Sequence, residues 1–183
     1  MAKVLVPLAD GFEEIEAVTI IDVLRRGGVE VTTASLNDSE EVHGSNGITI
    51  LANTLLKYLS ADEFDMMVLP GGIPGAENLR DSDKVQELVK EFKKDKLVGA
   101  ICAAPIALYS AGALDGEEFT CYPGYEQVIK DANFKEEKVV QSSNVLTSRG
   151  PGTAICFALE IVKKLVGDET YQQLKAGLLA DFC

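Results

Sequence analysis

"LVGAICAAPIALYSAG", residues 97–112, changes its hydrophobic period half-way along. Leu97, Val98, Ala100 and Ile101 form a short apolar run suited to a strand buried on both faces. From Ala103 onward, Ile106, Ala107, Leu108 and Ala111 recur at helical spacing. Cys102 stands at the junction. A strand that hands over directly to a helix is the unit from which α/β sheets are built.

The same alternation runs outward in both directions. Residues 3–8, "KVLVPL", read as a strand, and 14–26 as a helix closed by Gly27-Gly28. Residues 29–36 are β-rich, and 40–50 contain Asn46-Gly47, a hairpin signal. A buried strand at 64–70 precedes a helix near 82–94. Beyond the Cys102 unit come a strand at 117–123, a short helix near 124–131, and two short strands around Asn144 within 138–150. A long helix at 151–167, with Pro at its start and Gly at its end, leads to a last helix at 168–179. With no internal repeat, linker or low-complexity stretch, residues 1–183 read as one domain: a mostly parallel sheet with helices on both faces. Such sheets bind ligands beyond the carboxyl ends of their strands.

Composition excludes several partners. The chain is 46% hydrophobic and 25% charged, with a net charge of −12. That acidity argues against nucleic acid or an anionic membrane, both of which require basic patches. The densest lysine run, "KEFKKDK" at 90–96, is interrupted by acids and reads as a solvated helix end. No apolar stretch reaches the roughly 20 residues of a membrane span, and none has signal-peptide form. Cysteines 102, 121, 156 and 183 make no C-x-x-C pair, and His43 is the one histidine, so no metal site of usual spacing is expected. The expected setting is the cytoplasm, with thiols reduced.

Three clusters fall at predicted strand ends. Cys102 precedes a helix, whose free N–H groups lower a thiol's pKa; buried cysteines are also common as small hydrophobes, and position alone leaves both readings open. Cys156, mid-helix among Ile155, Phe157 and Ala158, reads as structural. In "GFEEIE" (11–16), Glu13 and Glu14 are explained as helix-dipole partners. Glu16 shares a face with Ile20 and Val23, so it points inward, where apolar surroundings raise a carboxyl pKa. In "LPGGIPG" (69–75), glycines let backbone N–H groups approach a ligand closely. "TSRGPGT" (147–153) is a fourth loop at a helix start. No dinucleotide or P-loop fingerprint is present.

In this order and spacing, "GFEEIE", "LPGG", "AICAAP" and "TSRGPGT" resemble the DJ-one/ThiJ/PfpI superfamily along essentially the whole chain, most closely its DJ-one and bacterial YajL-type branches. The resemblance implies a flavodoxin-like three-layer α/β sandwich, usually a homodimer. By motif, Cys102 matches the family nucleophile and Glu16 the acid that bonds its sulfur. Gly72 and Ala103 match backbone donors facing the reacting oxygen. The implied activity needs no cofactor or metal: glyoxalase III or protein deglycase action on 2-oxoaldehydes such as methylglyoxal, or on their adducts. The alternative it implies is an oxidative-stress sensor or redox-regulated chaperone, working through oxidation of Cys102. Two positions depart from the pattern. Protease members carry His directly after the cysteine, where this chain has Ala103, so a protease is not expected. Tyr122 stands where DJ-one has a histidine, so no Cys–His dyad is available.

Overall fold

Val4 through Leu8 are all buried, as an uninterrupted apolar run requires when helices cover both faces of a sheet. The computed structural model describes residues 1–183. Its strands are β1 (Lys3–Leu8), β2 (Glu30–Ser35), β3 (Glu41–His43), β4 (Thr49–Leu51), β5 (Thr54–Leu55) and β6 (Met66–Leu69). They continue with β7 (Leu97–Ile101), β8 (Glu118–Phe119), β9 (Asn133–Phe134), β10 (Val139–Ser142) and β11 (Val145–Ser148). The helices are α1 (Glu14–Arg26), α2 (Gly75–Asp81), α3 (Asp83–Asp95), α4 (Pro105–Ser110), α5 (Ala154–Leu165) and α6 (Asp168–Gly177).

Seven strands form the central sheet in the order β10-β11-β7-β6-β1-β2-β5. Every pairing is parallel except β10 with β11, an antiparallel hairpin that turns at Asn144. α1, α5 and α6 pack together as one helical layer, and α2, α3 and α4 as the other. The chain is therefore the three-layer α/β sandwich expected. α3 shows how sequence builds a layer: Val85, Leu88, Val89 and Phe92, at i, i+3, i+4 and i+7, are all fully buried. Its first turn is capped by the Ser82 hydroxyl, which accepts from Val85 N. No helix is long and apolar enough to cross a membrane.

Four readings are corrected. The 117–123 strand shortens to β8, which pairs with β9 outside the main sheet, because Tyr122 N turns away to donate to Cys102 O at 2.8 Å. The helix near 124–131 is a single 3₁₀ turn at Tyr125–Gln127, entered through Gly124 at φ 99°. α2 rises from the glycine- and proline-rich stretch read as loop. The cysteines are not all reduced: Cys156 and Cys183 form a disulfide with Cα atoms 5.1 Å apart. α6 runs back against α5 and returns the segment after it to the start of α5, a closeness that a spacing of 27 residues does not announce.

Candidate active site

Glu16 comes from the first turn of α1, Gly72 from the connection after β6, and Cys102 and Ala103 from the one after β7, and the fold brings all four together at the carboxyl ends of β1, β6 and β7. Cys102 follows β7 directly and has φ 64°, the left-handed region that a non-glycine residue occupies only when its surroundings hold it there. Two backbone bonds do so. Cys102 N donates to Ser148 O at 2.9 Å, and Cys102 O accepts from Tyr122 N. The bend stands the side chain up at the sheet's end, and the residue is 9% exposed.

Glu16 reaches the thiol from α1 and is fully buried on the same face as Ile20 and Val23. Its Oε2 accepts from Gly71 N at 2.9 Å. Its Oε1 has no hydrogen-bond partner, and the Cys102 thiol is the neighbouring side chain that acts on the carboxyl. Gly71 is the residue that the sequence pattern underused. A methyl group there would lie 2.6 Å from Glu16 Oε2 and 2.7 Å from Cys102 Cβ, so only glycine lets the two side chains meet. Gly72, at φ 92°, is wedged against the backbone of Gly11, Phe12 and Glu13, and its N–H and that of Ala103 face the sulfur.

Burial raises the Glu16 carboxyl from 4.5 to about 7, against the opposing pull of Cys102 and Gly71. Burial also pushes the Cys102 thiol far above its ordinary 9.0, ionised Glu16 pushes it further, and the N–H groups of Ala103 and Gly72 pull it partly back. A thiol made acidic by a helix N-terminus is thus corrected: α4 has only six residues and begins three positions after the cysteine. The two acids titrate as a pair. Near pH 7 the pair loses one proton from the Glu16 carboxyl, and repulsion holds back the second. The reactive arrangement is neutral Glu16 beside a thiolate.

With this geometry, the comparison with known proteins is decisive. Residues 2–164 match the DJ-1/PfpI family. The chain belongs to that family. It is 41% identical over 181 residues to protein dj-1beta of Drosophila melanogaster, covering 97% of each chain. It is 38% identical over 176 residues to a protein named glutathione-independent glyoxalase DJR-1.2 of Caenorhabditis elegans, covering 94% of this chain and 92% of that one. A structure of oxidised DJ-1 from Toxoplasma gondii superposes with a TM-score of 0.93 at 41% identity, covering 98% of both chains.

Within this DJ-1/PfpI domain, the His43 ring bonds Thr49 Oγ1 at 3.0 Å in the β3–β4 hairpin, and Tyr122 lays its ring on the Gly150 backbone. No group of three or more His, Cys, Asp or Glu residues is arranged to hold a metal. Glu14, read from sequence as a dipole partner only, is nearly buried and takes four hydrogen bonds from the hairpin turn: Ser45 Oγ, Asn46 N, Asn46 Nδ2 and Ile48 N. Glu13 caps α1, accepting from Glu16 N at 2.7 Å. Of the three acids in "EEIE", two hold the scaffold and one faces the thiol.

Proposed function

We propose that this protein converts 2-oxoaldehydes such as methylglyoxal to 2-hydroxy acids, without a cofactor, at the Cys102–Glu16 pair. The observation that carries the reading is a buried carboxyl poised near neutrality against a nucleophile, since a proton shuttle works best when its pKa matches the working pH. The Cys102 thiolate adds to the aldehyde carbon, and the new oxyanion lies toward the N–H groups of Gly72 and Ala103. Glu16 gives its proton to that oxygen; its carboxylate then takes the proton from the aldehyde carbon and returns it to the neighbouring one as the hydroxyl proton passes to the ketone oxygen, so the aldehyde carbon is oxidised and the ketone carbon reduced. Water then hydrolyses the resulting thioester, releasing the 2-hydroxy acid and the thiol. The sum is 2-oxoaldehyde plus water giving 2-hydroxy acid. The name of the nematode relative supports this chemistry. Glycated adducts that release the same carbonyl are a further substrate class, cytoplasm is the proposed location, and a homodimer the proposed assembly.

Lactate formation from methylglyoxal tests the reading, with buffer-only controls in any deglycation assay. Wild type should produce lactate and Cys102→Ser none; equal rates would overturn it. A redox-sensing role, including a chaperone activity switched by oxidation, is the second reading. It draws support from the oxidised state named for the Toxoplasma structure and from N–H groups equally suited to a sulfinate oxygen.

A further inference from the structure

We propose that Cys156 and Cys183 are a second redox centre, a dithiol–disulfide couple that acts on the Cys102 bend through Lys138 and Ser148. Cys156 lies in the first turn of the twelve-residue α5 and is 5% exposed, whereas Cys183 is only partly buried in the segment following α6. Both line a cavity of about 400 Å³ with Lys138, Gln141, Leu146 and Glu160, so a small thiol or disulfide has room to approach the bond. Free Cys102 and Cys121 are both elsewhere in the fold and do not line this cavity.

The two sulfurs have different chemical roles. An attacking small thiolate reaches the more open Cys183 sulfur and expels Cys156, whose thiolate lies in the first turn of α5, at the positive end of that helix. A second small thiol then releases Cys183, leaving two protein thiols and one small disulfide. In the oxidising direction, the Cys183 thiolate attacks a small disulfide such as glutathione disulfide and displaces one small thiolate. The Cys156 thiolate then attacks the Cys183 sulfur and displaces the second, and the protons of the two protein thiols end on the two released thiols. Two electrons pass, and no other reactant is needed. In a reducing compartment the dithiol is the resting form, and the disulfide is the oxidised signal.

One continuous line of hydrogen bonds leads from the bond to Cys102. Lys138 Nζ donates to Phe182 O, beside Cys183. Lys138 O accepts from Ser148 Oγ at 2.7 Å, and the same hydroxyl contacts Thr153 Oγ1 at 2.7 Å. Ser148 O in turn accepts from Cys102 N, one of the two bonds that hold the left-handed bend. With the disulfide formed, the segment after α6 is fixed and Lys138 is held on it. With it broken, that anchor loosens, and so does the register of Ser148 under Cys102. The N–H groups of Ala103 and Gly72 are then less well aimed at the sulfur.

The test equilibrates the purified chain at set ratios of reduced to oxidised glutathione and maps peptides without reduction. The 156 and 183 peptides should be joined, lighter by two hydrogens than the pair of thiols, and should separate as reduced glutathione rises. Cys102 alkylation by iodoacetamide, which depends on no substrate, should be about threefold slower in the reduced form, the effect of weakening part of one hydrogen bond. Lys138→Met should show the slow alkylation while its disulfide still forms, and Cys183→Ser the slow alkylation at every ratio. Absence of the joined peptide under oxidised glutathione overturns the couple. Equal alkylation rates in the two forms, or in Lys138→Met and wild type, overturn its action on Cys102. Lactate production plays no part in these measurements, so failure of the enzyme reading would be seen separately.

Discussion

At the scale of single residues, Glu16 stands apart from the other acids as a carboxyl group that burial favours in its neutral form. Below pH 4.5 it is protonated in both the folded and the unfolded chain. Between pH 4.5 and about 7 the unfolded chain ionises first, so stability falls across that window, by about 3 kcal/mol for a shift of this size. Glu16→Gln stays neutral throughout. It should therefore be more stable than wild type by about that amount at pH 8 and no more stable at pH 4.5, as read from urea midpoints at the two values. An equal difference at both would mean the carboxyl is not held neutral. The same substitution bears on the thiol. In wild type, Glu16 ionises first, and its carboxylate repels the charge of a neighbouring thiolate and so opposes ionisation of Cys102. The midpoint of Cys102 alkylation against pH should consequently move downward in Glu16→Gln. An unchanged or higher midpoint would show that the carboxylate does not act on the thiol.

Elements matter because the site is the meeting of the first turn of α1 with the loops that follow β6 and β7, and glycine spacing controls how closely they meet. Gly71→Ala places a methyl group between Glu16 and Cys102, and one of them must retreat. Lactate production should fall by about a hundredfold, the usual cost of misplacing a catalytic group by an ångström, while circular dichroism remains native. The hairpin is the second support. Burial alone would raise Glu14, but the hairpin donors outweigh it and hold its carboxyl below 4.5, so this anchor strengthens the fold above that pH and is lost as pH falls. Glu14→Ala should leave four donors without their acceptor and cost about 1–3 kcal/mol at pH 7. These examples show what was legible in the sequence. α1, α3 and the β7 strand could be read because their apolar period is unbroken, and Glu16 because it falls on that period. α2 could not, since "GGIPG" hides a helix start behind residues that usually mark turns. Gly71 was as visible as Gly72, but its role depends on two side chains that arrive from other elements. The partnership of Cys156 with Cys183 depends on the reversal between α5 and α6, which no local pattern encodes.

The whole molecule carries its chemistry at one end of the sheet and an apolar face at its side. On α1 the residues opposite the buried stripe include Ile15, 59% exposed, and Val18, 47% exposed. Beside them the β3–β4 hairpin presents Ile48 and Leu51, and Val18, Ile21, Ile50 and Leu51 line one shared groove of about 300 Å³. A patch of this kind on a charged surface is suited to a partner with the same apolar character, and a second copy supplies it by two-fold symmetry. Each copy carries a net charge of −12, so association brings like charges together and is opposed at long range. Salt screens that repulsion over about 10 Å at 0.1 M and leaves the apolar contact intact. A homodimer formed through this face should therefore tighten as ionic strength rises, the opposite of an interface held by ion pairs. Light scattering at micromolar concentration should give about twice the 19.7 kDa chain mass, and dilution at low salt should reveal monomer before dilution at high salt does. Val18→Glu adds a buried charge to both sides of the contact and should leave a folded monomer. α1 carries Glu16 on its inner face and Val18 on its outer one, so the monomer should also show a shifted pH midpoint for Cys102 alkylation. A dimer that weakens with salt would rule out this face as the interface, and a wild-type chain that stays monomeric at high concentration would remove the dimer altogether.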